Sequence, residues 1–122
     1  MKKFLLYLSV LISIITALLM LSYFSDNYST SYKNVQAVKA DAAIERGWVP
    51  SIIPNSAYDI VEKHNLDTNV FYGSFHYKEE DEANFIKNLT PLKEAKETYS
   101  WEDTLFHVDK KLRKVWYRNK VD

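Results

Sequence analysis

The chain of 122 residues contains no cysteine, two glycines and three prolines. Without cysteine there is no disulfide scaffold, no thiolate metal site, no Cys nucleophile and no lipid attached through a Cys. Two glycines are too few to build a Gly-rich phosphate loop. An excess of either charge is also lacking, since 16 Lys/Arg balance 16 Asp/Glu. Setting aside Lys2 and Lys3 leaves 14 basic against 16 acidic side chains, so nucleic acid is not an expected partner. The length suits one small domain.

Apolar residues, by contrast, are concentrated at the start. Phe4 to Phe24 is a run of 21 uncharged residues, interrupted only by Ser9, Ser13, Thr16 and Ser22. As a helix rising about 1.5 Å per residue it spans roughly 31 Å, enough for a hydrocarbon core of about 30 Å. Its Leu, Ile, Val and Phe side chains favour insertion by roughly 4–8 kcal/mol at most, which outweighs four hydroxyls able to bond back to the preceding turn. A cleaved signal peptide competes with this reading. The apolar stretch is longer than a signal peptide needs, and no small-x-small pair follows it. Residues 1–24 therefore read as an uncleaved signal-anchor, with the lipid bilayer as partner of residues 4–24. Lys2 and Lys3 favour an N-terminus inside and a C-terminal domain outside the cytoplasm, at a bacterial inner membrane.

Residues 25–34, SDNYSTSYKN, read as a polar spacer, and residues 35–122 as a small extracytoplasmic domain. A chain beginning near Ser31 is expected to fold without the anchor. Val35 to Arg46 reads as a helix stopped by Gly47, and Trp48 to Pro54 as a stretch held extended by Pro50 and Pro54. Ser56 reads as the N-cap of a helix from Ala57 to about His64, and Asn65 to Asn69 as a turn held by Asp67 and Asn69. Val70 to Tyr77 is the clearest strand, with Phe71, Gly73, Phe75 and Tyr77 on one face. Glu79 begins a helix through Leu89 that Pro91 ends, and 92–103 reads as loop. Asp103–Asp109 and Arg113–Arg118 read as a hairpin with Phe106 and Val108 facing Val115 and Tyr117. The expected fold is α+β: one N-terminal transmembrane helix, then two or three short helices and an antiparallel sheet of about three strands.

No constellation points to chemistry. His64, His76 and His107 show no metal-ligand spacing, although His76 and His107 are able to pair across a sheet. Asp59, Glu62, His64 and Asp67 are close in sequence, with Asp67 placed to orient His64, but no nucleophile stands beside them. Six Lys/Arg between Lys110 and Lys120, interleaved with Trp116 and Tyr117, suit either solvated hairpin charges or contacts with anionic headgroups. The most specified segment is Gly47 to Asn69. There Trp48, Pro50, Pro54, Ser56, His64, Asp67 and Asn69 serve either the fold, the favoured reading, or a partner-binding loop. No catalytic, cofactor or metal residue is assigned.

That segment resembles a family of small, uncharacterised, membrane-anchored or exported bacterial proteins. The shared pattern is Gly-Trp-aliphatic-Pro, then aliphatic-Pro-x-Ser-Ala, then Asp-Thr-Asn before a strand. It is carried here by Gly47, Trp48, Pro50, Ile53, Pro54, Ser56, Ala57, Ile60, Asp67, Thr68 and Asn69, with Val115 to Arg118 similar to a late strand. Many members begin at a lipidated cysteine, which this chain lacks. The resemblance implies a location and a domain type, and assigns no activity. The expectation is a non-enzymatic, membrane-anchored interaction or envelope-associated protein with an envelope protein as partner. An immunity or exclusion protein at the membrane is the alternative, and a small hydrolytic or metal-dependent enzyme a further one.

Overall fold

The computed structural model describes residues 1–24 and 27–120. Helix α1 (Lys2–Phe24) carries the apolar run. Within Lys2–Ser22 the most apolar 18 residues have a mean hydropathy of 2.6, and none of them is buried within the molecule. It is long and apolar enough to cross a membrane, and it fits a membrane anchor. Ser13 and Thr16 direct their hydroxyls to the carbonyls of Ser9 and Ile12, which removes most of the cost of carrying them into an apolar phase.

Beyond α1 the elements run β1 (Asn27–Asn34), α2 (Val35–Ala40), β2 (Tyr58–Asn65), β3 (Val70–His76), a 3₁₀ turn (Glu79–Asp81), α3 (Glu82–Lys87), β4 (Thr90–Pro91), β5 (Thr98–Trp101), β6 (Thr104–Asp109) and β7 (Lys114–Asn119). The seven strands form one antiparallel sheet ordered β1-β2-β3-β7-β6-β5-β4. The α+β class and the N-terminal apolar helix stand, and the sheet has more strands than the expected three.

The extra strands come from three places. Residues 27–34, expected as a polar spacer, form an edge strand in register with β2, Tyr28 opposite His64 and Tyr32 opposite Ile60. Residues 25 and 26 of that spacer lie outside the described residues. The expected helix from Ala57 is strand β2 instead. Ile60, Glu62 and His64 alternate inward at every second position, and the two polar members of that row disguise the period. Residues 92–103, expected as loop, include β5 and follow the two-residue edge strand β4. The hairpin of β6 and β7 is as expected, Phe106 opposite Tyr117 and Val108 opposite Val115.

One face of the sheet is covered. Val35 and Val38 of α2, then Ala43, Val49, Ile53 and Ala57 of the long connection, close over Ile60, Phe75, Phe106, Val115 and Tyr117. Phe85 of α3 meets Phe75 and Phe106 edge-to-face at 5.8 and 5.9 Å, the arrangement that ring quadrupoles favour. The expected helix over 35–46 stops at Ala40 because Asp41 is held elsewhere. Tyr32 Oη donates to its carboxylate at 2.5 Å, and Arg46 binds the same side chain and its carbonyl. Ala42 then turns left-handed at φ 56°. Pro50 and Pro54 start tight turns rather than holding an extended run, their carbonyls accepting from Ile53 and Ala57. Gly73 is required by a close approach, since a Cβ there would lie 2.6 Å from Tyr117 Oη and nearer still to the Val61 carbonyl.

Candidate functional site

Two features stand out, one inside the covered face and one on the open face. The first is built around His64. Alternation along β2 turns Glu62 and His64 inward beneath the connection, where both are buried. His64 Nδ1 lies 2.6 Å from Glu62 Oε1. The imidazole stacks on Trp48 (centroids 3.7 Å, planes 12° apart) and on Tyr28 (5.1 Å, 8°). The Arg46 guanidinium lies over the Trp48 ring at 4.3 Å, a cation–π contact at the rim. Tyr117 Oη donates to the Trp48 carbonyl at 3.0 Å, fixing the loop above the sheet.

Electrostatically the centre is tight. Burial raises the Glu62 carboxyl above its ordinary range, with His64 pulling in the opposite direction, and Glu62 Oε2 meets no donor. Burial, then the bond to Asp41, pushes the Tyr32 hydroxyl up to about 12. Burial likewise raises Tyr117. The Asp41 carboxyl is lowered, chiefly by the Tyr32 hydrogen bond and then by Arg46. Nothing in this cluster supplies a nucleophile beside the imidazole, and the ring faces are occupied by other rings. Its geometry is that of a fastener between β1, β2 and the connection.

The residues singled out from the sequence are therefore only partly brought together. Trp48 and His64 meet, whereas the carboxylate on His64 is Glu62 and not Asp67. Asp67 is exposed in the turn, whose side-chain acceptor is Asn65: Asn65 Oδ1 takes the N–H groups of Asp67 and Thr68 at 2.9 and 2.8 Å. Asn69 adopts φ 60° there, and its carbonyl accepts from Asn119 Nδ2. Ser56 caps no helix. Its hydroxyl accepts from Lys78 N–H, and its own N–H donates to Asp81, tying the connection to the start of α3. Pro50 and Pro54 are buried. His76 stacks on Tyr58 and His107 leans on Trp116, so the two do not pair. Among the described residues no three His, Asp or Glu side chains are placed to share a metal ion.

The second feature is the open face of the sheet, which no element among the described residues covers. Register sets its side chains in rows across the strands. Lys63, Tyr72, Arg118 and Leu105 form one row, Val61, Ser74, Trp116 and His107 the next, and His76, Lys114 and Asp109 a third. Tyr72 and Trp116 remain 49% and 39% exposed, unusual for large rings in the middle of a sheet. They border a cleft of about 410 Å³ with Leu105, His107 and Arg118. Lys114 Nζ lies 4.9 Å over the Trp116 ring. The sequence signal for this face is the alternation in Lys114-Val115-Trp116-Tyr117-Arg118, where Val115 and Tyr117 go inward.

Comparison with known proteins follows the same division of the chain. A family model described as the YbbD head domain matches residues 26–76. The matched stretch runs from the start of β1 to the end of β3 and includes Tyr28, Trp48, Glu62 and His64, while Tyr117 of the cluster lies outside it. It is consistent with a small bacterial exported or membrane protein. Neither the curated proteins nor the solved structures give a match.

Proposed function

We propose that this protein is a non-enzymatic interaction domain held at a bacterial inner membrane by α1, its N-terminus inside and its sheet domain outside the cytoplasm. The domain works by docking through the open face of the sheet to a partner at the membrane. The observation that carries the reading is that face: Tyr72 and Trp116 exposed and Leu105 half-buried at its middle, with Lys63, Lys114 and Arg118 around them. Aromatic and Arg side chains at the centre of an exposed patch are the residue types that dominate binding energy in interfaces. The match of residues 26–76 to a family described as a head domain agrees with a folded unit presented by an anchor.

The test is co-purification of the intact protein from detergent-solubilised membranes, comparing wild type with Trp116→Ala/Arg118→Glu. Loss of a co-purifying component at unchanged melting temperature is the expected result. Retention of every component by the double variant contradicts docking through this face.

A further inference from the structure

We propose that the open sheet face docks on the headgroup layer of the membrane that holds α1, taking anionic phospholipid as its ligand; this rests on the reading above and names the partner of the same face. Connectivity provides the first argument. Helix α1 ends at Phe24 and β1 begins at Asn27, so three Cα steps, at most about 11 Å, separate the end of the apolar helix from the corner of the sheet. With α1 inserted, the bilayer surface is the one neighbour this domain never leaves.

Charge decides which side of the domain meets that surface. The open face carries Lys63, Lys114 and Arg118 with Asp109, whose carboxylate is engaged with the turn N–H groups of Lys111 and Leu112, and at its β1–β2 edge Asp59 shares a hollow with Lys33. Glu97, 4.0 Å from His107, lies at its far border. The domain beyond residue 24 has a net charge of −2, so its acids are gathered elsewhere. Asp67, Glu102 and Asp103 occupy turns at the strand ends beside the tether, and Glu79 to Glu82 lead into α3 behind the covered face. Standing on its tethered end would set those acids against anionic headgroups, with only Arg46 and Lys120 beside Asp103 to offset them, so that end has no basic excess. Lying on the open face sets Lys, Arg, Trp and Tyr there, the residues that anchor proteins at a lipid–water boundary. Each basic side chain near an anionic surface is worth roughly fivefold in partition, so the three together supply on the order of a hundredfold.

The chain has no cysteine, so single-site labelling is clean. The full chain is placed in nanodiscs of phosphatidylcholine alone or mixed with phosphatidylglycerol, carrying a nitroxide at His107→Cys on the open face or at Asn84→Cys on α3. His107 is on β6, four strands from the tether, so its shielding is not imposed by the anchor. The expected result is that the label at 107 loses collisions with a water-soluble nickel chelate in the anionic discs and not in the neutral ones, while the label at 84 does not change. Lys63→Glu/Lys114→Glu/Arg118→Glu, folded by circular dichroism, should restore the accessibility of 107. Equal accessibility in both lipids, shielding at 84 instead of 107, or shielding that survives the triple reversal overturns the lipid assignment. Should the lipid arms fail while Trp116→Ala/Arg118→Glu still loses a co-purifying protein, docking through this face stands and its partner is a protein.

Discussion

Glu62 is the residue whose placement costs the fold most and fastens it best. Its carboxyl is fully buried, one oxygen on His64 and the other without a donor. Because burial raises its proton affinity in the folded state above the ordinary value of 4.5, the folded chain holds more protons than the unfolded chain between those two values. Stability is then fully present below pH 4.5 and falls as pH rises toward the folded value. Glu62→Gln should flatten that fall in thermal melts of the detergent-solubilised protein, and His64→Gln, which removes the group holding the carboxyl down, should extend it to higher pH. Trp48 lies half-buried against His64 under the Tyr117 bond to its carbonyl. Trp48→Ala should cost about 3 kcal/mol, the lower end for large aromatic truncations, because part of the ring faces water. In the turn, Asn65→Ala should cost about 1–2 kcal/mol through its two lost N–H acceptor bonds. Asp67→Ala should stay within about 0.5 kcal/mol, and melts of the two variants order them.

At the scale of elements, β2 explains what was legible. Strand β3 and the β6–β7 hairpin could be read directly, since their inward rows are aromatic or β-branched and their turns are marked by Asn and Asp. In β2 the inward row reads Ile60, Glu62, His64, so the alternation of apolar residues is broken where the His64 cluster is built. A serine before the segment then mimics a helix cap. Strand β1 was hidden for a related reason: Asn27–Asn34 offers Tyr28, Thr30 and Tyr32 to the covered face with no aliphatic among them, and its pairing comes from the neighbour rather than from propensity. The contact of Trp48 with His64 was not legible at all, because it joins residues 16 apart through a connection whose path depends on Asp41 and two buried prolines. The consequence is testable by truncation. A chain beginning at Ser31, expected from sequence to fold, loses the half of β1 that pairs with Glu62–Asn65, including Tyr28 of the ring stack. It should melt well below a chain beginning at Asn27, and equal melting temperatures would mean that β1 contributes nothing to the domain.

On the scale of the whole molecule, the apolar residues are divided between α1, whose stretch Lys2–Ser22 is not buried by the domain, and the covered face of the sheet. The surface proposed for docking is the open face, which carries Lys63, Lys114 and Arg118 in a domain that is acidic in sum. Its rings and cations were visible one by one in the sequence, but their assembly into rows needed β2, read there as a helix, beside β3, β7 and β6. The most direct measurement of the central claim is photo-crosslinking in intact membranes from benzoylphenylalanine placed at Leu105 or Trp116 on the open face, with Ile86 of α3 as the control on the other side. The account predicts adducts, lipid or protein, from 105 and 116 and none from 86. Adducts from 86 alone, or equal yields from all three, would contradict it.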